Sequence, residues 1–161
     1  MDQKKLDKQS QHWEVNFSSK PEMLGSEPSV AAIKSLKFLK GKNIVELGAG
    51  LGRDTVFFAK NSIHIEALDY SKAAIETIKI KSKKLNLNQF VKTKFFDVRK
   101  KLPFNNNSVD GCFSHMLYCM ALSNHDLENL NKEILRILKP GGINIYTVRN
   151  TDDGDYKNGN H

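Results

Sequence analysis

The chain of 161 residues is long enough for one domain with one hydrophobic core, and its 39% hydrophobic and 27% charged residues are ordinary for a globular protein. No apolar run approaches the roughly 20 residues of a membrane span and the N-terminus has no apolar signal-peptide core, so a cytoplasmic location without membrane contact is the default reading. The formal net charge of +7 permits a nucleic-acid partner without requiring one, and the 2 cysteines, Cys112 and Cys119, form no disulfide framework and are read as reduced.

Residues 1–27 are polar, with scattered Trp13, Val15, Phe17, Met23 and Leu24, and read as an arm or short helix outside the core. Two roles stay open for it: Trp13 and Phe17 anchor it on the domain, or it covers a site as a lid. Pro28 opens a helix to about Lys40, with Val30, Ile33, Leu36 and Leu39 on one face and Gly41 as its stop. Ile44-Val45-Glu46-Leu47 is a strand buried on both faces. Gly48-Ala49-Gly50-Leu51-Gly52 turns the backbone sharply and lets a ligand approach its N–H groups, and a helix follows from Arg53 to about Asn61.

Ile63 to Asp69 alternates as a second strand, with His64 and Glu66 on a polar face. Asp69 follows the glycine turn at the distance where nucleoside-binding folds place a carboxylate for ribose hydroxyls. Ser71 caps a helix to about Asn86 with Ala74, Ile75, Ile78 and Leu85 apolar, and Val91 to Phe96 is a third strand leading into Asp97-Val98. Val109 to Met116 is a fourth strand. Ser123 and Asp126 have capping-box spacing before a helix carrying Leu127, Leu130, Ile134, Leu135 and Leu138; Lys139-Pro140-Gly141-Gly142 stops it, and Ile143 to Val148 is a fifth strand. Residues 151–161 read as a polar tail.

Strands alternating with helices imply a doubly wound α/β fold with a Rossmann-like, mostly parallel sheet ordered 3-2-1-4-5 and a ligand at the carboxyl ends of its strands. The glycines do not have the G-x-G-x-x-G spacing of dinucleotide folds, and Glu46 beside the turn would repel a pyrophosphate while suiting a cationic ligand.

The string from Glu46 to Gly52, followed in order by Asp69, Asp97, Leu102-Pro103-Phe104, the strand Val109 to Met116 and Glu133 to Gly142, resembles class I S-adenosylmethionine-dependent methyltransferases. Within them it resembles the small-molecule branch that includes tellurite-resistance and ubiquinone-biosynthesis enzymes, over residues 43–148. The resemblance implies a methyltransferase domain over residues 28–150, S-adenosyl-L-methionine as cofactor with S-adenosyl-L-homocysteine as product, and in-line methyl transfer to a small-molecule acceptor. It implies a cofactor site of Glu46, Gly48, Ala49, Gly50, Gly52, Arg53, Asp69, Tyr70, Asp97, Val98 and Ser114. Asp97 would meet the adenine amino group and the backbone after it a ring nitrogen.

His115 is the catalytic candidate, as a general base where the acceptor needs one, and Tyr118 and Arg149 are candidates for holding substrate. Cys112, His115 and Cys119 lack a fourth ligand, so no metal is expected. Ser114-His115-Met116-Leu117 stands where amino-nitrogen methyltransferases carry Asn/Asp-Pro-Pro-aromatic, which argues against adenine or glutamine acceptors. The family's two further strands are missing, which leaves strand five as an edge able to pair with a second copy in a homodimer. Two other readings stay open. One is an RNA methyltransferase using the lysines between Lys79 and Lys101, although these lack interleaved aromatics. The other is an inactive, truncated cofactor-binding module that pairs through its open edge.

Overall fold

The computed structural model describes residues 3–39 and 42–152, so Gly41 and the tail beyond residue 152 lie outside the described residues. Its elements are α1 (Gln3–Ser19), α2 (Val30–Leu39), β1 (Asn43–Leu47), α3 (Arg53–Lys60), β2 (His64–Asp69), α4 (Lys72–Lys84), β3 (Val91–Phe95), β4 (Val109–Ser114), α5 (Asn124–Ile137) and β5 (Leu138–Tyr146). All pairings are parallel, in the order β3-β2-β1-β4-β5 that the alternation predicts. Successive strands therefore need helical crossovers, and the loops at their carboxyl ends fall together on one side.

Residues 44 to 47 of β1 are buried on both faces, because helices cover both sides of the central strand. On one side Val45, Leu47 and Cys112 pack with Leu130, Ile134 and Ile137 of α5. On the other, Ile44, Ile65 and Phe113 pack with Phe58 of α3 and with Ala32 and Leu39 of α2. Helix α5 starts at the predicted capping box, with Ser123 Oγ accepting from Asp126 N and the Asp126 side chain accepting from Ser123 N.

Four expectations need correction. The N-terminal arm is a 17-residue helix that reaches the core: Phe17 is 5% exposed and packs with Leu51 and Ala74, flanked by Trp13 and Leu24. In α2 the buried face is Ala32, Ser35 and Leu39, while Val30 and Ile33 are exposed. Ser29 fixes that register, since its N and Oγ both donate to Asp54 of α3 and its Oγ accepts from Ala32 N, and the small Ala32 and Ser35 then admit close approach. Leu135 and Leu85 also point outward, Leu85 as the residue that closes α4.

The fifth strand begins at Leu138, before the glycines. Leu138 pairs with Val109 and Ile143 with Gly111, so Lys139-Pro140-Gly141-Gly142 is an irregular excursion inside the strand, where Pro140 has no N–H to donate and Gly141 is left-handed at φ +78°. Among the described residues β5 pairs with β4 alone, and Tyr146 and Val148 are exposed there.

Candidate functional site

The carboxyl ends of β1 to β4 and the face of α1 enclose a cavity of about 200 Å³. The first wall is the turn after β1. Gly48 and Gly50 have φ of +71° and +53°, and a side chain at Gly48 would crowd Leu117 at 3.2 Å, so the turn is glycine-dependent for both conformation and space.

Four of its five N–H groups are not free for a ligand as the sequence suggested. Gly48 N and Ala49 N both donate to Leu68 O at 2.9 and 3.1 Å, Gly50 N donates to Asp69 Oδ2 at 2.8 Å, and Gly52 N donates to Ala49 O at 3.1 Å. A turn with four of its five donors already spent is a poor phosphate cradle. Gly52 itself is off the cavity: its Cβ would stand 2.6 Å from Ile78 Cγ1, so it serves the contact of α3 with α4.

Carboxylates line the cavity. Asp69, at the end of β2, is 4% exposed and accepts from Gly50 N and, at 2.8 Å, from Ser71 N. Burial pushes its pKa up to about 6 against the opposing backbone bonds from Ser71, Gly50 and Tyr70, and nearby Glu14 adds to the rise. Glu46, at the end of β1, is buried and accepts from the Thr55 hydroxyl; burial first and then Asp54 hold its carboxyl well above the usual range.

Asp97, beyond β3, is gripped by Arg99, whose Nε reaches Oδ1 at 2.9 Å and Oδ2 at 3.0 Å. Burial works to raise its pKa, but those bonds outweigh it and the pKa is lowered. Val98 and Tyr70 complete this side, the Tyr70 hydroxyl being driven to higher pKa by burial and then by Asp69 and Asp97. Arg53 also faces the cavity, with its Nη1 donating to Leu24 O at 3.3 Å and its Nε 4.0 Å from Asp54. Both guanidinium groups thus have protein partners, which leaves the buried carboxylates to favour a cationic guest.

The opposite wall comes from the N-terminal segment, for which the sequence left open an anchoring role or a lid. Gln9, Trp13 and Phe17 fall on one face of α1, at i, i+4 and i+8, and with Leu24 they close over the cavity. The helix is tied at both flanks. Glu14 Oε2 accepts from Ser71 Oγ at 2.6 Å, at the N-terminus of α4, and Gln9 Oε1 accepts from Ala121 N at 3.0 Å, beyond β4. The polar and apolar positions of α1 follow this double contact instead of the stripe of a surface helix, so periodicity gave little warning of it.

His115 lies on the cavity wall directly after β4, its Nδ1 3.0 Å from Thr147 Oγ1. Burial lowers its pKa, with Asp54 opposing and Arg53 assisting, so the imidazole is neutral near neutral pH. Three other candidates are elsewhere. Ser114 is fully buried behind the wall, with Oγ unpaired among the described residues. A 3-10 turn over Leu117–Cys119 points Leu117 at Gly48 and Tyr118 away, so Tyr118 stacks on Tyr146 at 4.6 Å and donates to Asn131 Oδ1 at 2.7 Å. Arg149 lies outside the cavity, with its backbone N donating to Cys119 Sγ at 3.1 Å. Among the described residues no three His, Cys, Asp or Glu side chains converge as a metal site, and no helix is long and apolar enough to cross a membrane.

Comparison with known proteins agrees with this geometry. Residues 44–142 match the family described as "Methyltransferase domain". A phosphoethanolamine N-methyltransferase 1 from Triticum aestivum is 35% identical over 132 residues, covering 80% of this chain and 24% of the relative. A 24-methylenesterol C-methyltransferase 3 from Arabidopsis thaliana is 25% identical over 139 residues, covering 81% and 38%. Among solved structures, phosphoethanolamine N-methyltransferase 1 of Haemonchus contortus, in complex with phosphoethanolamine and S-adenosylhomocysteine, superposes with a TM-score of 0.69 at 20% identity, covering 89% of this chain and 32% of that one. The chain spans about a quarter of the length of the curated relatives it matches first. The sheet order, the glycine turn after β1 and the matched span together place the chain in the methyltransferase domain family, with the class I S-adenosylmethionine-dependent fold.

Proposed function

We propose that this domain binds S-adenosyl-L-methionine in the cavity and directs transfer of its methyl group to a small-molecule acceptor. The observation that carries the reading is the joint wall of Gly48 to Gly50, Asp69 and Asp97 at adjacent strand ends, closed by α1. The residues fit that cofactor. It carries no phosphate, and four of the turn's five N–H groups are committed; it carries a sulfonium and an ammonium, and buried carboxylates stand at the same strand ends. Asp69 retains lone-pair capacity beyond its backbone bonds from Gly50, Ser71 and Tyr70 and would accept from the ribose hydroxyls, while Asp97 would accept from the adenine amino group.

When bound, the cofactor supplies an electrophilic methyl whose displacement returns the S–C electron pair to sulfur. The chain supplies position. Holding donor and acceptor in line can contribute about 7–11 kcal/mol without covalent participation by the protein. Trp13, Phe17 and Leu24 would exclude water from the enclosed pair, so α1 acts as a lid over residues of the domain proper. Opening it would break the Glu14 and Gln9 contacts. The named relatives act on a phosphorylated amine and on a sterol, so the acceptor is proposed only as a small molecule reached past His115.

Trp13, the chain's 1 tryptophan, provides the test because it lies in the cavity. Its fluorescence is expected to change saturably with S-adenosylmethionine and S-adenosylhomocysteine and to ignore NAD. A flat response to all three from a folded chain would overturn the cofactor assignment. Label transferred from the cofactor's methyl to a panel of small amines, thiols and carbon acids would then establish the reaction.

A further inference from the structure

Thr147, the first residue after β5, lies behind the cavity wall and ties three parts of the turn beyond β4. Its N donates to Ser114 O at 3.2 Å, its Oγ1 accepts from Met116 N at 2.8 Å, and the same oxygen is 3.0 Å from His115 Nδ1. Met116 has φ +65°, a left-handed conformation uncommon for a side chain of its size, so this turn depends on outside support.

A threonine hydroxyl has one hydrogen and two acceptor lone pairs. The Met116 N–H occupies one lone pair, which leaves two arrangements toward Nδ1. With a hydrogen on Nδ1, the oxygen accepts twice and its own hydrogen has no partner among the described residues. With Nδ1 bare, the hydroxyl donates to it and both groups are satisfied. The fully paired arrangement is favoured, since a half-buried donor left unpaired is costly.

We infer that Thr147 fixes neutral His115 as the tautomer with its hydrogen on Nε2, so that His115 meets the methyl acceptor as a hydrogen-bond donor and not as the base that takes its proton. Burial, with Arg53 assisting and Asp54 opposing, keeps the ring in the neutral form where a tautomer choice exists. The inference rests on the reading that acceptor and cofactor meet in this cavity, and it narrows the acceptor class. The fitting acceptor brings its nucleophilic pair already free, as a soft anion or a deprotonated amine, and carries an oxygen or other lone pair for Nε2–H to hold. Thr147 is a positioning residue, acting through His115.

Nitrogen NMR of the 15N-labelled, ligand-free chain reads the tautomer directly. Wild-type His115 is expected to show the hydrogen on Nε2 and a bare Nδ1. Thr147→Ser should keep that pattern by retaining the hydroxyl, and Thr147→Val should turn it into a mixture of tautomers. A hydrogen on Nδ1 in the wild type, or an unchanged single tautomer in a folded Thr147→Val, would overturn the inference. If Thr147→Val does not fold, the wild-type and serine spectra decide. Trp13 titration with S-adenosylhomocysteine on the same samples separates the two levels: the expected tautomer without binding would reject the acceptor role together with the proposed function.

Discussion

Asp69→Asn separates ligand binding from folding because the two are expected to move differently. The carboxylate is 4% exposed and its pKa stands at about 6 against an ordinary 3.8. The folded state therefore holds this proton more tightly than the unfolded state, and the group's contribution to stability falls as pH rises from about 4 to about 6. A pKa raised from 3.8 to about 6 corresponds to about 3 kcal/mol of cost from the ionised form at neutral pH. Asparagine avoids that cost and loses about 1 kcal/mol where it can no longer accept from both Gly50 N and Ser71 N. The net expectation at neutral pH is unchanged stability or a gain of up to about 2 kcal/mol, read from denaturant unfolding.

Cofactor affinity should move the other way. Loss of charge-assisted bonds to the ribose hydroxyls costs about 1.5–3 kcal/mol, or roughly 10- to 150-fold in Kd. Wild-type affinity should also weaken as pH falls through about 6, by at most about tenfold per unit for one proton, with a smaller dependence in the variant. A folded Asp69→Asn that binds as tightly as the wild type would refute the assignment of this carboxylate.

Glu14→Gln removes a negative charge that helps to raise the Asp69 pKa, so the pH midpoint of cofactor binding should shift downward; an unmoved midpoint would show that the two carboxylates do not interact. Gly52→Ala forces a side chain at φ +78° against Ile78 and should cost about 1–3 kcal/mol by denaturant unfolding, with Kd for the cofactor little changed in the folded fraction. A neutral effect would contradict the tight contact of α3 with α4. Phe17→Ala is expected to lose up to about 3–5 kcal/mol and to speed S-adenosylhomocysteine release in stopped-flow fluorescence. Unaltered stability and release would mean that α1 is not docked as described.

Long-range order in this chain was legible where a residue's type and spacing follow from backbone chemistry. The strand Ile44 to Leu47, the glycines at positive φ, Asp69 at the end of β2 and the Ser123–Asp126 box each obey a local rule, and parallel crossover topology follows from their alternation. What stayed hidden depends on distant partners. Ser29 sets the face of α2 through Asp54, 25 residues away, which no hydrophobic stripe records. Helix α1 has Phe17 in the core and Glu14 on Ser71, yet its apolar residues are scattered among mostly polar positions and read as an arm. Tyr118 lies off the cavity because the 3-10 turn after β4 faces Leu117 toward Gly48 and Tyr118 toward Tyr146. Thr147 carried no motif at all; its role comes from β5 lying beside β4.

Isothermal titration calorimetry of the 161-residue chain with S-adenosylmethionine, S-adenosylhomocysteine and NAD tests the central claim most directly. The account predicts one-site binding of the first two in the micromolar range, about −8 kcal/mol, and no heat from NAD. Binding of NAD, or no binding of either sulfur ligand by a folded chain, would contradict it.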